Sequence, residues 1–378
     1  MDTKRILFVS PFLKVGGVER ILVNYVNKLC DKYEVINLVE FDLKEKNYFE
    51  NKINSTVIFQ NSHKVSLIIS NLRHLSKKNL FIIPVFFISI IFSRFFSKNK
   101  LSSAIKKNNP SHIIYFYQFS NFDFFSFGNK CKKIQWLHQS VKTMPFYLRY
   151  FFFIRCLLVD RIICISEEML NDMPKYFKSK CDLIYNPIDK TEIKKFKNPY
   201  QNLRNIVSVS RIDEKQKSIK VLIDAFNKFN NELLKNKKYT LNIVGDGPDL
   251  SLLKNYVIDS KINNIIFHGS ITPPFPFIYY SDFLILSSKF EGFPTILLES
   301  IFLNKNFLSS DCKTGPKELY KHGFGKLFKK DDVEDLYVNF KEFHNELKSP
   351  IILNKKKKLY LKNFDIQQVM NEIEKRII

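Results

Sequence analysis

Glycine and proline are scarce, with 10 and 14 in 378 residues. That excludes collagen-like and linker-dominated architectures. The six cysteines form no Cys-x-x-Cys pair and have no histidine cluster beside them. This argues against a zinc site and a disulfide framework, and for a reducing cytoplasm. No basic-then-apolar leader precedes the strand-like Arg5–Ser10, so no export signal is expected. There is no internal repeat of solenoid period and no long low-complexity tract.

Acidic residues are short overall, 37 against 60 Lys and Arg, which gives a net charge of +23. Such an excess suits an anionic partner: nucleic acid, a phosphorylated ligand or anionic lipid. The deficit is uneven. From Asn51 to Phe122 there is no Asp or Glu but ten Lys or Arg, and between Asp123 and Asp160 only Lys130, Lys132, Lys133, Lys142, Arg149 and Arg155 are charged. The longest apolar run, Leu80–Phe92, falls short of the ~20 residues that span a bilayer. Its flanks are basic (Arg73, Lys77, Lys78; Arg94, Lys98, Lys100). The segment 64–107 therefore reads as an interfacial element, with Phe and Ile at the acyl boundary and Lys and Arg on anionic headgroups. A buried core helix with solvated basic ends and a true span are the competing readings.

What is present is globular, with 45% hydrophobic and 26% charged residues. At ~150 residues per domain the length suggests two domains. Strands are expected at Arg5–Pro11, Tyr33–Glu40, Ser111–Tyr117, Lys133–His138, Arg161–Ile165 and Cys181–Tyr185. Val18, Ile21, Leu22, Tyr25, Val26 and Leu29 recur at helical spacing after the first. A second series follows: strands at Asn205–Ser210, Tyr239–Val244, Ile265–His268, Phe283–Ser287 and Asn306–Ser310, and helices at Ile219–Leu234, Leu250–Val257 and Thr295–Phe302. The polar stretch near 186–205 separates the two. Alternation of this kind gives parallel sheets with right-handed crossovers. The expected fold class is α/β, two doubly wound Rossmann-like domains facing a central cleft, with ligands at the carboxyl ends of the strands.

Two segments carry chemistry. In Ser287–Ser300, Glu291 falls in a strand-end loop, Pro294 suits a first helical turn, and the helix offers free N–H groups to an anion. Glu299 lies about a turn further on. Two carboxylates beside an anion site match the hydroxyls and phosphates of a sugar nucleotide. Taken singly, each glutamate reads equally as a solvated acid. In Ser208–Ser218, Arg211, Lys215 and Lys217 follow a strand end. There cations would stabilise a departing diphosphate, although a basic surface loop has the same composition. His138, near Trp136, reads first as a strand-end histidine.

Together these segments resemble the retaining GT-B glycosyltransferases of family four (glycosyl transferases group 1), of the bacterial polysaccharide and lipopolysaccharide type. The residues that carry the resemblance, in order, are Pro11–Arg20, Trp136-Leu-His138, Ile165–Glu168, Asn186–Asp189, Ser210–Asp213 with Lys217, Gly245–Pro248, Glu291 with Glu299, and Asp311–Pro316. One departure is Ser218, where the family often has Gly; a serine there can still cap a helix.

The resemblance implies an N-terminal domain over 1–186 facing acceptor and membrane. It implies a nucleotide-sugar-binding domain over 187–360, and a C-terminal helix over 361–378 packing back on the first. Arg211 and Lys217 would grip the donor diphosphate, Glu291 the donor sugar and Glu299 the ribose. Gly292, Phe293, Pro294 and Thr295 would present main-chain donors. Gly16 and Gly17 would allow a close loop approach, and His138 would reach the sugar. No metal and no cofactor is expected, since cations and a helix end replace them. The expected activity moves a hexose or N-acetylhexosamine from a UDP-sugar to a lipid-linked glycan acceptor, in O-antigen, capsule or lipopolysaccharide assembly. The enzyme would be cytoplasmic, held peripherally on the inner face of the cell membrane through 64–107. A sugar-nucleotide epimerase or phosphorylase of the same fold is the alternative, although no pyridoxal lysine is identifiable. Nucleic acid is not an expected partner, because the basic stretch interleaves with long aliphatic runs and carries no nucleic-acid motif. With both residues in strand-end loops, removal of Glu291 or Lys217 is expected to spare the fold.

Overall fold

The computed structural model describes residues 4–11, 13, 16–41, 53–61, 101–118, 131–188, 196–201, 204–235, 238–346 and 351–378, with helical positions at 68, 71–72, 85 and 88–89. Two compact units emerge. The first comprises Met1–Ile165, Leu170–Tyr185 and Val369–Ile378; the second comprises Ser166–Met169 and Asn186–Gln368.

The first unit is built on a seven-stranded sheet in the order β3-β2-β1-β4-β5-β6-β7. The strands are β1 (Arg5–Ser10), β2 (Glu34–Phe41), β3 (Thr56–Asn61), β4 (His112–Tyr115), β5 (Lys132–Leu137), β6 (Arg161–Cys164) and β7 (Cys181–Leu183). Every pairing is parallel. Central strands read as continuous apolar runs because both faces are covered: Ile6, Leu7, Phe8 and Val9 of β1 are all buried. The helix Gly17–Leu29 turns Ile21, Leu22, Tyr25, Val26 and Leu29 inward, on the predicted 3.6-residue period. The final residues Val369, Met370, Ile373 and Ile377 are buried, and Glu374 accepts from Lys32 at 2.9 Å.

The second unit holds a six-stranded parallel sheet in the order β10-β9-β8-β11-β12-β13. Its strands are β8 (Asn205–Val209), β9 (Thr240–Val244), β10 (Ile265–Gly269), β11 (Phe283–Leu286), β12 (Phe307–Ser310) and β13 (Lys326–Phe328). Ile206, Leu222, Phe226, Phe229, Leu241, Ile243, Phe283 and Phe340 form one apolar cluster on it. The α/β doubly wound expectation holds in both units, and the strand order reverses once in each. In the second the reversal lies between β8 and β11; in the first, between β1 and β4. At such a switch point, crossovers leave to opposite sides and open a crevice beyond the carboxyl ends.

The polar linker at 189–195 and most of 64–107 lie outside the described residues. Within 80–92, Val85 and Ile88 are described and exposed. Further on, Leu101, Ala104 and Ile105 of the helical stretch 101–108 are buried. Among the described residues no helix is long and apolar enough to cross a membrane.

Candidate functional site

The two segments singled out in the second unit leave adjacent strands at the switch point. β8 and β11 pair in register Phe283↔Ile206 and Leu284↔Val207. The loop after β8 carries Arg211 and Lys217; the loop after β11 carries Glu291. Main-chain and side-chain bonds stitch the loops together. Lys289 N donates to Gln216 O at 2.7 Å, and Ser287 Oγ to Lys217 O at 2.8 Å.

Lys217 and Glu291 meet directly: Nζ to Oε1 is 2.5 Å, with the side chains only 14% and 9% exposed. Ser288 Oγ donates to the same carboxylate oxygen at 2.5 Å. The Ser288 carbonyl is held in turn by Ser310 Oγ and by Cys312 Sγ at 2.9 Å. Thr314 Oγ1 donates to the main-chain carbonyl of Glu291. Burial pushes the Cys312 thiol up to about 12, so it stays protonated and able to donate. Ser288 and Thr314 are not recognisable as functional from the sequence: both lie in motif segments, but a lone serine or threonine has no periodic signal.

The enclosure of the Lys217–Glu291 pair corrects one expectation. Removing either partner leaves the other charge nearly buried and unmatched, which costs about 3–5 kcal/mol. A strand-end loop is therefore no guarantee that the fold is spared.

Arg211 is half-exposed and pairs with Asp213 at 2.6 Å. Its loop is fixed by the turn Gly245–Pro248. Ile212 N donates to Asp246 O at 2.9 Å, and a Cβ on Gly247 would lie 2.1 Å from Ile212 O. The turn approaches this closely only because it lacks side chains there.

Ser218 does not cap as expected. Its backbone is left-handed (φ 49°), and its hydroxyl bonds Asp331 at 2.5 Å rather than the helix. The N-terminus of the helix Ile219–Glu232 is capped by the Glu214 carboxylate, which accepts from Ile219 N at 2.7 Å and Lys220 N at 3.2 Å. A left-handed position accounts for glycine there in the family.

Pro294 precedes the helix Thr295–Phe302. It has no N–H, so the main-chain donors of this stretch reduce to Gly292, Phe293 and Thr295. Phe293 is anchored against Phe364, ring centroids 5.3 Å apart. Gly315 (φ +75°) leaves room for the loop: a Cβ there would fall 2.5 Å from Pro294 Cδ. Glu299 is buried one turn into the helix.

In the first unit, the loop after β1 leads to Gly16 and Gly17. A Cβ on Gly16 would fall 2.2 Å from Glu19 Oε2, whereas at Gly17 nothing lies within 4 Å. The space given up by Gly16 is thus filled by a buried glutamate of the same helix. His138 follows β5, with its ring 4.6 Å from Phe116 and 5.5 Å from Tyr117. Burial pushes the imidazolium down to about 3, offset in part by the Phe116 main chain. His138 is therefore neutral at physiological pH, able to share one N–H and one lone pair with a ligand.

The glycosyl transferases group 1 family matches residues 189–358, the span that holds Arg211, Lys217, Glu291 and Glu299. Residues 189–358 belong to the glycosyl transferases group 1 family. The chain is 27% identical over 229 residues to the N-acetylgalactosamine-N,N'-diacetylbacillosaminyl-diphospho-undecaprenol 4-alpha-N-acetylgalactosaminyltransferase of Campylobacter jejuni, covering 58% of this chain and 60% of that one. A second Campylobacter jejuni protein, the GalNAc-alpha-(1->4)-GalNAc-alpha-(1->3)-diNAcBac-PP-undecaprenol alpha-1,4-N-acetyl-D-galactosaminyltransferase, is 24% identical over 97% of this chain and 96% of its own. For three curated relatives, the match spans only 52%, 60% and 62% of the relative's length. Among solved structures, Anabaena Alr3699/HepE in complex with UDP-glucose superposes with a TM-score of 0.73 over 98% of each chain at 16% identity. The fold is the GT-B glycosyltransferase fold.

Proposed function

We propose that this protein is a retaining glycosyltransferase that moves a hexose or N-acetylhexosamine from a UDP-sugar to a lipid-linked glycan. It would work at the cytoplasmic face of the cell membrane, in O-antigen, capsule or lipopolysaccharide assembly. The observation that carries this reading is the buried Lys217–Glu291–Ser288 cluster at the β8/β11 switch point of a group 1 domain. The undecaprenol-linked substrates of the two Campylobacter relatives support an undecaprenol-linked acceptor. The UDP-glucose in the Anabaena structure supports the donor.

The residues divide the work by charge. Arg211 and Lys217 neutralise the diphosphate as the bond from the anomeric carbon to the phosphate oxygen breaks and its electron pair leaves with UDP. Glu291 and Ser288 orient the sugar hydroxyls, and Glu299 accepts from the ribose. The N–H groups of Gly292, Phe293 and Thr295 face the phosphates at a helix start, where an anion is favoured. The acceptor hydroxyl attacks the anomeric carbon from the face that UDP leaves. Its proton passes to the departing phosphate oxygen, so configuration is retained without a side-chain nucleophile. Protein cations, rather than a metal, carry the diphosphate charge. The basic segment 64–107 holds the enzyme at anionic lipid.

The test is incubation with a panel of UDP-sugars and a membrane lipid extract, scoring sugar transferred into the lipid phase. Transfer with retained anomeric configuration is expected. Donor conversion without an acceptor, as an epimerase gives, would overturn the reading.

A further inference from the structure

The helix Phe146–Leu157 of the first unit is inverted. Its one fully buried charge is Arg155, 4% exposed, whose guanidinium donates to Gln118 O at 3.0 Å and lies 4.7 Å from the Tyr115 ring centroid. Phe152 and Cys156 share the inward side. Outward stand Phe146 (77% exposed), Tyr150 (59%), Phe151 (62%) and Leu157 (63%). Phe146, Tyr150 and Leu157 share one helix face at i, i+4 and i+11. A water-facing helix carries polar residues there; this one carries rings.

The patch continues past its own helix. Phe153 packs on Phe177 at 5.7 Å, and Phe177 on Tyr176 at 4.5 Å. Tyr176 is itself 67% exposed, on the short 3-10 turn Lys175–Lys180.

Cations border the patch. Arg149 lies 5.9 Å from the Phe146 ring centroid, and Lys175 and Lys178 flank Tyr176 and are exposed. Three acids close in sequence are engaged elsewhere. Asp160 accepts from Lys133 N at 2.7 Å, Asp172 pairs with Lys142 at 2.9 Å, and Asp182 pairs with Arg161 at 2.6 Å.

We propose that Phe146, Tyr150, Phe151, Leu157 and Tyr176 insert into the headgroup–acyl boundary of an anionic membrane, with Arg149, Lys175 and Lys178 on its phosphates. This is a second, aromatic anchor, separate from 64–107. Aromatic rings with a polar tip suit the interface, where one end is dry and the other wet. Exposed apolar area and surrounding cations add in such binding. A second copy of the chain would face the same cations, so like charge opposes self-association through this patch. The proposal deepens the reading above and rests on it only for the membrane as the place of work.

The full chain offers a direct probe. Its one tryptophan, Trp136, is buried and reports little from the surface. In Tyr150→Trp, the added emission shifts to the blue on vesicles of phosphatidylcholine doped with phosphatidylglycerol, and brominated acyl chains quench it. The triple change Phe146→Ser, Tyr150→Ser, Leu157→Ser weakens sedimentation with these vesicles at least about tenfold, while UDP affinity holds. Unshifted Tyr150→Trp emission on sedimented vesicles, full-strength binding by a triple variant that still binds UDP, or loss of a dimer rather than of vesicle binding in that variant would each overturn it. No sugar is transferred in these measurements, so their failure is separate from failure of the transferase reading.

Discussion

Lys217 Nζ and Glu291 Oε1 sit 2.5 Å apart, joining the loops that follow two paired strands. If Lys217 takes the donor phosphate and Glu291 its sugar, as proposed, donor entry would separate the pair and give each its own partner. Diphosphate binding would then exchange one buried ion pair for another rather than fill an uncompensated positive site, which is costly to keep in a free protein.

The pair makes the choice of substitution matter. Glu291→Ala should lower stability by about 3 kcal/mol, because Lys217 stays enclosed without a partner. Glu291→Gln keeps an oxygen for Ser288 and Lys217 and should melt near the parent. Both should cut turnover at least ~100-fold. Urea titration beside a transfer assay separates the two effects; near-normal turnover in Glu291→Gln would remove the carboxylate from the mechanism.

Acid should loosen the first unit. Burial holds His138 down at about 3 and, with Lys132 and Lys4 adding to the effect, His112 at about 4. A depressed histidine binds its proton more readily in the unfolded chain. Stability is therefore complete above the unfolded value of ~6.5 and falls below it, by roughly 1 kcal/mol per pH unit for each group. Urea midpoints followed by Trp136 fluorescence between pH 7 and 4 should drop, and His138→Gln should flatten the slope.

Metal removal should leave turnover intact. If Arg211 and Lys217 carry the diphosphate charge, excess EDTA changes the transfer rate less than twofold. Abolition by EDTA with rescue by manganese or magnesium would reassign that role.

At Ser218, glycine should be the better replacement. Alanine loses the bond to Asp331 and retains the left-handed strain, whereas glycine loses the bond and relieves the strain. Ser218→Gly should exceed Ser218→Ala in stability by about 1 kcal/mol, read as a higher melting temperature.

Much of this architecture was legible in the sequence because central strands of a parallel sheet are continuous apolar runs. β1, β5, β8, β11 and the helix Thr295–Phe302 fall where pattern alone put them. The polar-interrupted edge strand β3 and the three-residue β13 were not visible, since edge strands need little apolar continuity. The helix Phe146–Leu157 escaped for a different reason. Periodicity finds a helix by its inward apolar stripe, and here Phe146, Tyr150, Phe151 and Leu157 point outward while Arg155 points in. At the site, charged residues in strand-end loops could be named in advance. Ser288, Thr314 and the Glu214 cap could not, because short polar side chains acquire roles only from what the fold sets beside them.

The first unit takes its last buried side chains, Val369, Ile373 and Ile377, from the far end of the described sequence, while the second lies almost wholly between Asn186 and Gln368. On the ribosome this reverses the usual N-terminal-first order. The second unit can complete its core as it emerges. The first, though synthesised earlier, waits with an uncovered apolar seam until residues 369–378 arrive.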